Sequence, residues 1–421
     1  MDRLSGRFFY LKEQQMPAAS GVFKQVAYKL ETTYGVMPSA ASAQALRRVT
    51  SSLNLSKDTY QSNEIRADFQ VADLRHGLRK VGGTIAGELS AKTYADFIAA
   101  ALKKDFVAGA SATGLSITVG GTTGAWTITR AAGSWLTDGV KIGDVVRLTA
   151  GAFNAANLNK NVLVTAVTAT VITGTVLNAT ALTTEGPIAS ATLTVVGKKT
   201  MVPQTGHTDK SFSIEHWHPD AGATGASEVF SGCKVSKMSF SLPATGMATV
   251  STEFVGKDAT GATAQYFTSP TAATTTGCMA AVNGVVMVGG VTGGTITGMT
   301  LDISSAQSGE PGIGSNTTDQ QATGRVIATG QITAKFDSTT LRDAFYNETE
   351  ISAIAVFTAN NSANSDFIGF SLGRLKLTGA DKDDGEKILI QTIPFQALLN
   401  VNGGTALASD LTTISVQDSA A

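Results

Sequence analysis

Three of the four histidines fall in one stretch, GHTDKSFSIEHWHPD, which brings His207, His216 and His218 close together in sequence. On a strand, His216 and His218 point to the same face and could form the edge of a metal site. No Cys or carboxylate at ligand spacing completes the set. The competing reading is a polar strand end before Pro219, with Trp217 packed on the other face. Carboxylates gather at Asp381, Asp383 and Asp384 in ADKDDGE. No EF-hand spacing follows them, so they read as a solvated turn between two strands. Gly256-Lys257 is followed by Asp258 and lacks the upstream glycine of a phosphate loop, and neither GxSxG nor HExxH occurs. With four histidines in the whole chain, a histidine-based acid–base site has few places to be. The residues point away from an enzyme and toward no cofactor.

One charged stretch stands apart. SNEIRADFQVADLRHGLRK, residues 62–80, carries Glu64, Arg66, Asp68, Asp73, Arg75 and Arg79 between apolar residues that include Phe69. Only 15% of the chain is charged, so concentrating both signs in one connection between strands calls for a reason. A solvated hairpin arm is the plain reading. An assembly arm, with alternating signs fixing its register against a neighbouring subunit, is the sharper one.

The elements that would position these groups are strands. The chain has 421 residues, 43% of them apolar, enough for a packed core in two to four domains. It is rich in Gly and Thr and poor in charge, which favours an all-β architecture with many turns. The formal net charge of −1 provides no basic field for gripping nucleic acid. Cys233 and Cys278 form no framework and are expected as free thiols of a reducing cytoplasm. MDRLSGRFFYLKEQQ lacks the apolar core of a signal peptide, so the protein is expected to be soluble and made without export.

A repeat organises the rest. GTIAGELSAKTYADFIAAAL from Gly83 returns as GQITAKFDSTTLRDAFYNET from Gly330, an offset of 247. The alignment pairs Ile85 with Ile332, Leu89 with Phe336, and Ser90 with Asp337, both good helix N-caps. Tyr94, Phe97, Ile98 and Ala101 then lie on one helix face. Upstream, Leu53 and Leu55 match Leu301 and Ile303. Downstream, CKVSKMSFSL resembles FSLGRLKLTG, with Val235, Met238 and Phe240 opposite Leu372, Leu375 and Leu377. There the offset falls to 137, so about 110 residues entered the first copy after its helix.

Within that addition LSITV, WTIT, DVVRLTA, NVLVTAVT, VITGTVL and ATLTVV alternate with turn signals, as in a small sandwich or barrel (Ig- or SH3-like) that should project outward. The Gly-rich run from Cys278 is too interrupted for a membrane span, and its Asn283-Gly284 predicts a two-residue hairpin turn. The expected organisation is a discontinuous first domain (1–104 and 201–258), an inserted β domain (105–200), a hairpin linker (259–290), a second copy (291–400) and a polar C-terminal tail (401–421).

ETTYGVMP (Glu31 to Pro38), EIRADFQVADLRHGLRKVGGTIAGELS and SLGRLKLTG…IQTIPFQAL together resemble the tail tube proteins of long-tailed, non-contractile phages. The resemblance covers most of the chain outside the insertion, and residues 64–90 are its most specific part. It implies two tandem β-sandwich domains, each with a short flanking helix, and subunits that close into rings and stack into a hollow tube. Three two-domain chains would make a pseudo-sixfold ring, and six chains are the alternative. The implied partners are the chain itself, a tape measure protein, a tail terminator, distal tail or baseplate proteins, and phage DNA in transit without specific binding. The implied setting is the virion tail, assembled in the host cytoplasm and not on a membrane. A surface adhesin or carbohydrate-binding β protein is the alternative, on account of the Thr/Gly-rich insertion.

Overall fold

The computed structural model describes residues 18–177, 181–289, 291–292, 296–384 and 386–421. In chain order, β1 (Gln25–Leu30), β2 (Thr50–Ser51), β3 (Asn54–Gln61) and β4 (Leu74–Glu88) lead into helix α1 (Ala95–Ala101). Six strands follow: β5 (Ser111–Thr122), β6 (Ala125–Arg130), β7 (Val145–Ala150), β8 (Val162–Val167), β9 (Val171–Val176) and β10 (Glu185–Val195). Next come β11 (Lys198–Met201), β12 (Phe212–His218), β13 (Ala226–Pro243), β14 (Thr249–Gly256) and β15 (Asp258–Ala262). The last part holds β16 (Gly284–Val288), β17 (Ile296–Pro311), β18 (Thr318–Lys335) and α2 (Thr340–Tyr346). It ends with β19 (Ile351–Thr358), β20 (Phe367–Leu377), β21 (Asp381–Lys382), β22 (Ile390–Ala397) and β23 (Ser415–Asp418). The fold is mainly β.

The repeat is visible as topology. The first copy runs β1–β12–β13–β14–β4–β3, each strand antiparallel to the next. The second runs β16–β19–β20–β22–β18–β17 in the same way. Gly83 and Gly330 are equivalent for a steric reason. A Cβ at either would collide with the carbonyl of the strand before it, Ser52 O or Thr300 O, so the close approach demands glycine.

Pairing corrects the downstream alignment. Gly83 pairs with Phe254, which pairs with Val235; Gly330 pairs with Phe395, which pairs with Leu377. Val235 therefore corresponds to Leu377 and not to Leu372. Met238 and Phe240 correspond to residues beyond the end of β20, not to Leu375 and Leu377. A register break between Phe212 and Ile214 recurs between Ile351 and Ala353, as this correspondence requires. Sequence alone leaves this register open because residues 367–370 are buried on both faces, so apolar positions match in more than one alignment.

Helix α1 buries the expected face, Tyr94, Phe97, Ile98 and Ala101. Phe97 is its anchor, meeting Tyr28, Phe212 and Phe254 at ring-centroid distances of 4.7, 5.2 and 5.1 Å. The helices start later than the sequence predicts. Tyr94 and Thr339 occupy the N-cap positions, and neither makes a side-chain cap. The Ser90 hydroxyl instead meets Thr93 Oγ1 at 2.6 Å, closing the turn before α1.

Strands β5 to β10 close into a barrel, order β10–β5–β6–β9–β8–β7, around a core that includes Trp126, Ile128, Trp135 and Leu193. The barrel arises within the first copy's sequence, yet it does not simply project away. It is fastened to the second copy. Val145, Leu163 and Val196 pack with Ile354, Val356 and Phe367, and Gln417 bonds the backbone of Val145 and Val196. Lys199 binds both Asp144 and Asp410 at 2.5 Å, all three with little exposure. Burial works against the Lys199 ammonium, but the two carboxylates outweigh it and raise its pKa.

Two further expectations fail. The last residues are not a tail: β23 is buried between β11 and β20. Its Gln417 and Asp418 are satisfied by backbone groups, which hydropathy does not register. Nor is Asn283-Gly284 a hairpin turn. Ala281–Asn283 form a 3₁₀ turn, Gly284 starts β16 with φ −93°, and the hairpin closes beyond Val288, which pairs with Val291.

Candidate functional site, an assembly surface

The charged stretch is the tip and base of the β3–β4 hairpin, which stands beside the β17–β18 hairpin through a hydrogen bond from Arg79 N to Asn316 O at 2.8 Å. Glu64, Arg66, Asp68, Phe69, Asp73 and Arg75 all lie exposed toward its tip. The charges are paired inside the loop, Arg66 with Asp68 at 2.8 Å and Arg75 with Asp73 at 2.6 Å. Such exposed pairs contribute little to stability. Beside these pairs Ile65 and Phe69 lie fully in solvent, and Phe69 has a φ of +56°. Arg79 differs from the other six. It sits at the base, half-buried, bound to Asp258 at 2.6 Å and to Ala259 O at 2.9 Å, so it locks the hairpin to β15.

His216 and His218 share strand β12, but the three histidines do not form a ligand set. His216 is buried, with Nε2 2.7 Å from Ser51 Oγ and its ring edge-on to Phe230. Burial, with Lys24 adding to it, lowers its pKa to about 3, so it stays neutral. His207 lines a cleft of about 580 Å³ with Lys103, Asp209, Gln321 and Arg325. Asp209 there is taken by Lys103 and Lys234, at 3.4 and 2.5 Å. No group of three or more His, Cys, Asp or Glu among the described residues could hold a metal ion. Asp381, Asp383 and Asp384 lie exposed at the β21 edge. Both thiols are free, and burial raises the pKa of each. No helix among the described residues is long and apolar enough to cross a membrane.

Sequence reasoning missed the buried carboxylates. Glu31, first residue of ETTYGVMP, accepts hydrogen bonds from Gly35 N, Ser211 Oγ, Ser213 Oγ and Gly232 N at 2.6–2.8 Å. Glu215 accepts from Ser227 Oγ, Tyr266 N and Phe267 N. These carboxylates clamp loops to the sheet. The only sequence signal was serine recurring at alternate positions opposite them.

The two copies meet edge to edge. The end of β13 pairs with β17 from Lys237↔Ser304 to Pro243↔Gly298, and α1 lies over this seam in the common core. A β unit is thus duplicated and joined head to tail to its own copy, and among the described residues no strand covers the outer side of β2–β3. The family model of the phage tail tube protein matches residues 24–397, nearly the whole chain. The chain belongs to that family and is a structural component of the virion tail. No curated protein matches it.

Proposed function

We propose that this chain closes into rings that stack into the hollow tube of a long-tailed, non-contractile phage, through which the genome leaves the capsid. The observation that carries the reading is the head-to-tail seam between the two copies. A contact that joins two different surfaces of like units closes a ring when it is repeated through a rotation that closes. Three chains then supply six like units per ring; six chains are the alternative. The chain's main partner is itself, and the tape measure, terminator and distal tail proteins meet the two ends of the tube. Assembly takes place in the host cytoplasm. The net charge of −1 suits a channel that lets DNA slide without gripping it.

The arm tip carries the contact between stacked rings, through Glu64, Arg66, Asp68, Phe69, Asp73 and Arg75, while Arg79 holds its base. Its exposed Ile65 and Phe69 support this reading. Negative-stain electron microscopy of the purified protein tests the function: stacked rings of constant bore support it, and a strictly monomeric protein at every concentration refutes it.

A further inference from the structure

Within the chain, the second copy gives two things to the first. One is the β17 edge, paired with the end of β13. The other is the connecting segment before β16. It threads between Leu89 and Ala248, with Met279 N donating to Leu89 O at 2.8 Å and Ala248 N donating to Met279 O at 3.0 Å. Ala280 bridges Met247, and Cys278 bridges Ser90.

Each half of this junction has a counterpart that no strand fills among the described residues. On the receiving side, Phe336 N donates to Leu389 O at 2.9 Å, as Leu89 N donates to Ala248 O at 2.8 Å. Among the described residues no strand or bridge lies between Phe336 and Leu389. Beyond Leu377, residues 378–384 correspond to the end of β13, and among the described residues β21 pairs only with β22. Apolar side chains lie open around this end: Ile388 is 70% exposed and Tyr346 68%, with Leu389 and Ile390 also exposed.

On the giving side, the segment before β1 repeats the segment before β16. Phe23 N donates to Ser20 O at 3.1 Å, as Asn283 N donates to Ala280 O at 3.1 Å. Residues 18–20 thus stand where Cys278–Ala280 stand, followed by Val22 and Phe23, both exposed. The β2–β3 edge matches β17, and among the described residues no strand covers its outer side. There the Leu55 N–H is taken by its own neighbour, Asn54 Oδ1, at 2.8 Å, whereas the matching Ile303 lies opposite Met238.

We infer that the partner at this end is a second copy of the chain, whose residues 18–20 thread between Phe336 and Leu389 while its β2–β3 edge pairs with residues 378–384. This rests on the ring reading and adds to it which elements touch and in what register. Carried over from the internal junction, Ser20 of one chain lies beside Ile388 of the next, as Ala280 lies beside Met247. Asn54 likewise lies opposite Asp381, as Asp302 lies opposite Ser239. The contact is an antiparallel strand addition, with a short segment filling a groove.

The test is thiol crosslinking of the full chain in a Cys278→Ser background, with microscopy on the same sample. Ser20→Cys combined with Ile388→Cys should give a ladder of covalent multimers under mild oxidation, collapsed by reductant. Asn54→Cys with Asp381→Cys should give the same ladder with a short bifunctional thiol reagent. Met247→Cys with Ala280→Cys should link within one chain and give no ladder. Tubes that form normally while both interchain pairs give no ladder overturn this inference and leave the ring reading standing. Absence of both tubes and ladder overturns the two together.

Discussion

The two copies share a strand order yet differ in how far they are buried. In the first, α1 has lost nearly all its surface, and Tyr94 is 2% exposed. In the second, α2 buries only Leu341 and Ala344, and Tyr346 lies largely in solvent. The polypeptide between the copies explains the difference. Copy one is completed by the linker and β17, which belong to copy two, whereas among the described residues no strand fills the matching place beside Phe336 and Leu389 in copy two. A duplicated unit with one finished and one unfinished end is what a subunit built to be continued by its own kind requires.

The comparison can be broken first in the cores. Phe97→Ala removes the aromatic centre of the finished copy and should cost about 3–5 kcal/mol of stability in denaturant unfolding. Tyr346→Ala on the unfinished copy should change monomer stability by no more than about 0.5 kcal/mol, yet reduce assembly. If both changes cost the same in the monomer, the two ends are not in different states of completion.

The barrel's fastening comes next. Lys199→Met leaves Asp144 and Asp410 buried without their cation and should cost about 3–5 kcal/mol, because an uncompensated buried charge is expensive. Hydrogen exchange should then rise at β11 and β23, where the barrel meets the second copy, more than at Phe97. Uniform exchange would mean that Lys199 does not link the two.

A smaller effect depends on pH. His216 lies in the first copy, and Ala355 occupies its place in the second. Because the folded protein lowers the His216 pKa from 6.5 to about 3, its contribution to stability is present above about pH 6.5 and is lost as pH falls toward 3. The slope for one proton is about 1.4 kcal/mol per pH unit. His216→Phe should flatten that slope, followed by unfolding at several pH values; an unchanged slope assigns it to other groups.

The smallest change in monomer stability is expected at the arm. Ile65→Ser with Phe69→Ser should leave unfolding within about 0.5 kcal/mol of the parent while weakening stacking. Arg79→Glu should destabilise the monomer itself, since Arg79 binds Asp258.

Much of this was legible in the sequence. Gly83 and Gly330, the buried face of α1 and the strands of the barrel were all marked by residue type and period. Strand register in β13 and β20 was not, because a strand buried on both faces offers several equivalent apolar alignments. The burial of β23 was hidden because Gln417 and Asp418 are polar and gain their partners only from distant backbone. The roles within the arm were mixed for a similar reason: Arg79 looks like Arg75 in sequence, and only the fold places Asp258 beside one of them.

The most direct test of the account is a cryo-electron microscopy reconstruction of the assembled protein. It predicts six like units around each ring, with copy two of one chain meeting copy one of the next through the same strand pairing that joins β13 to β17. A ring whose interchain contact differs from the internal seam, or a chain that does not assemble, would contradict it.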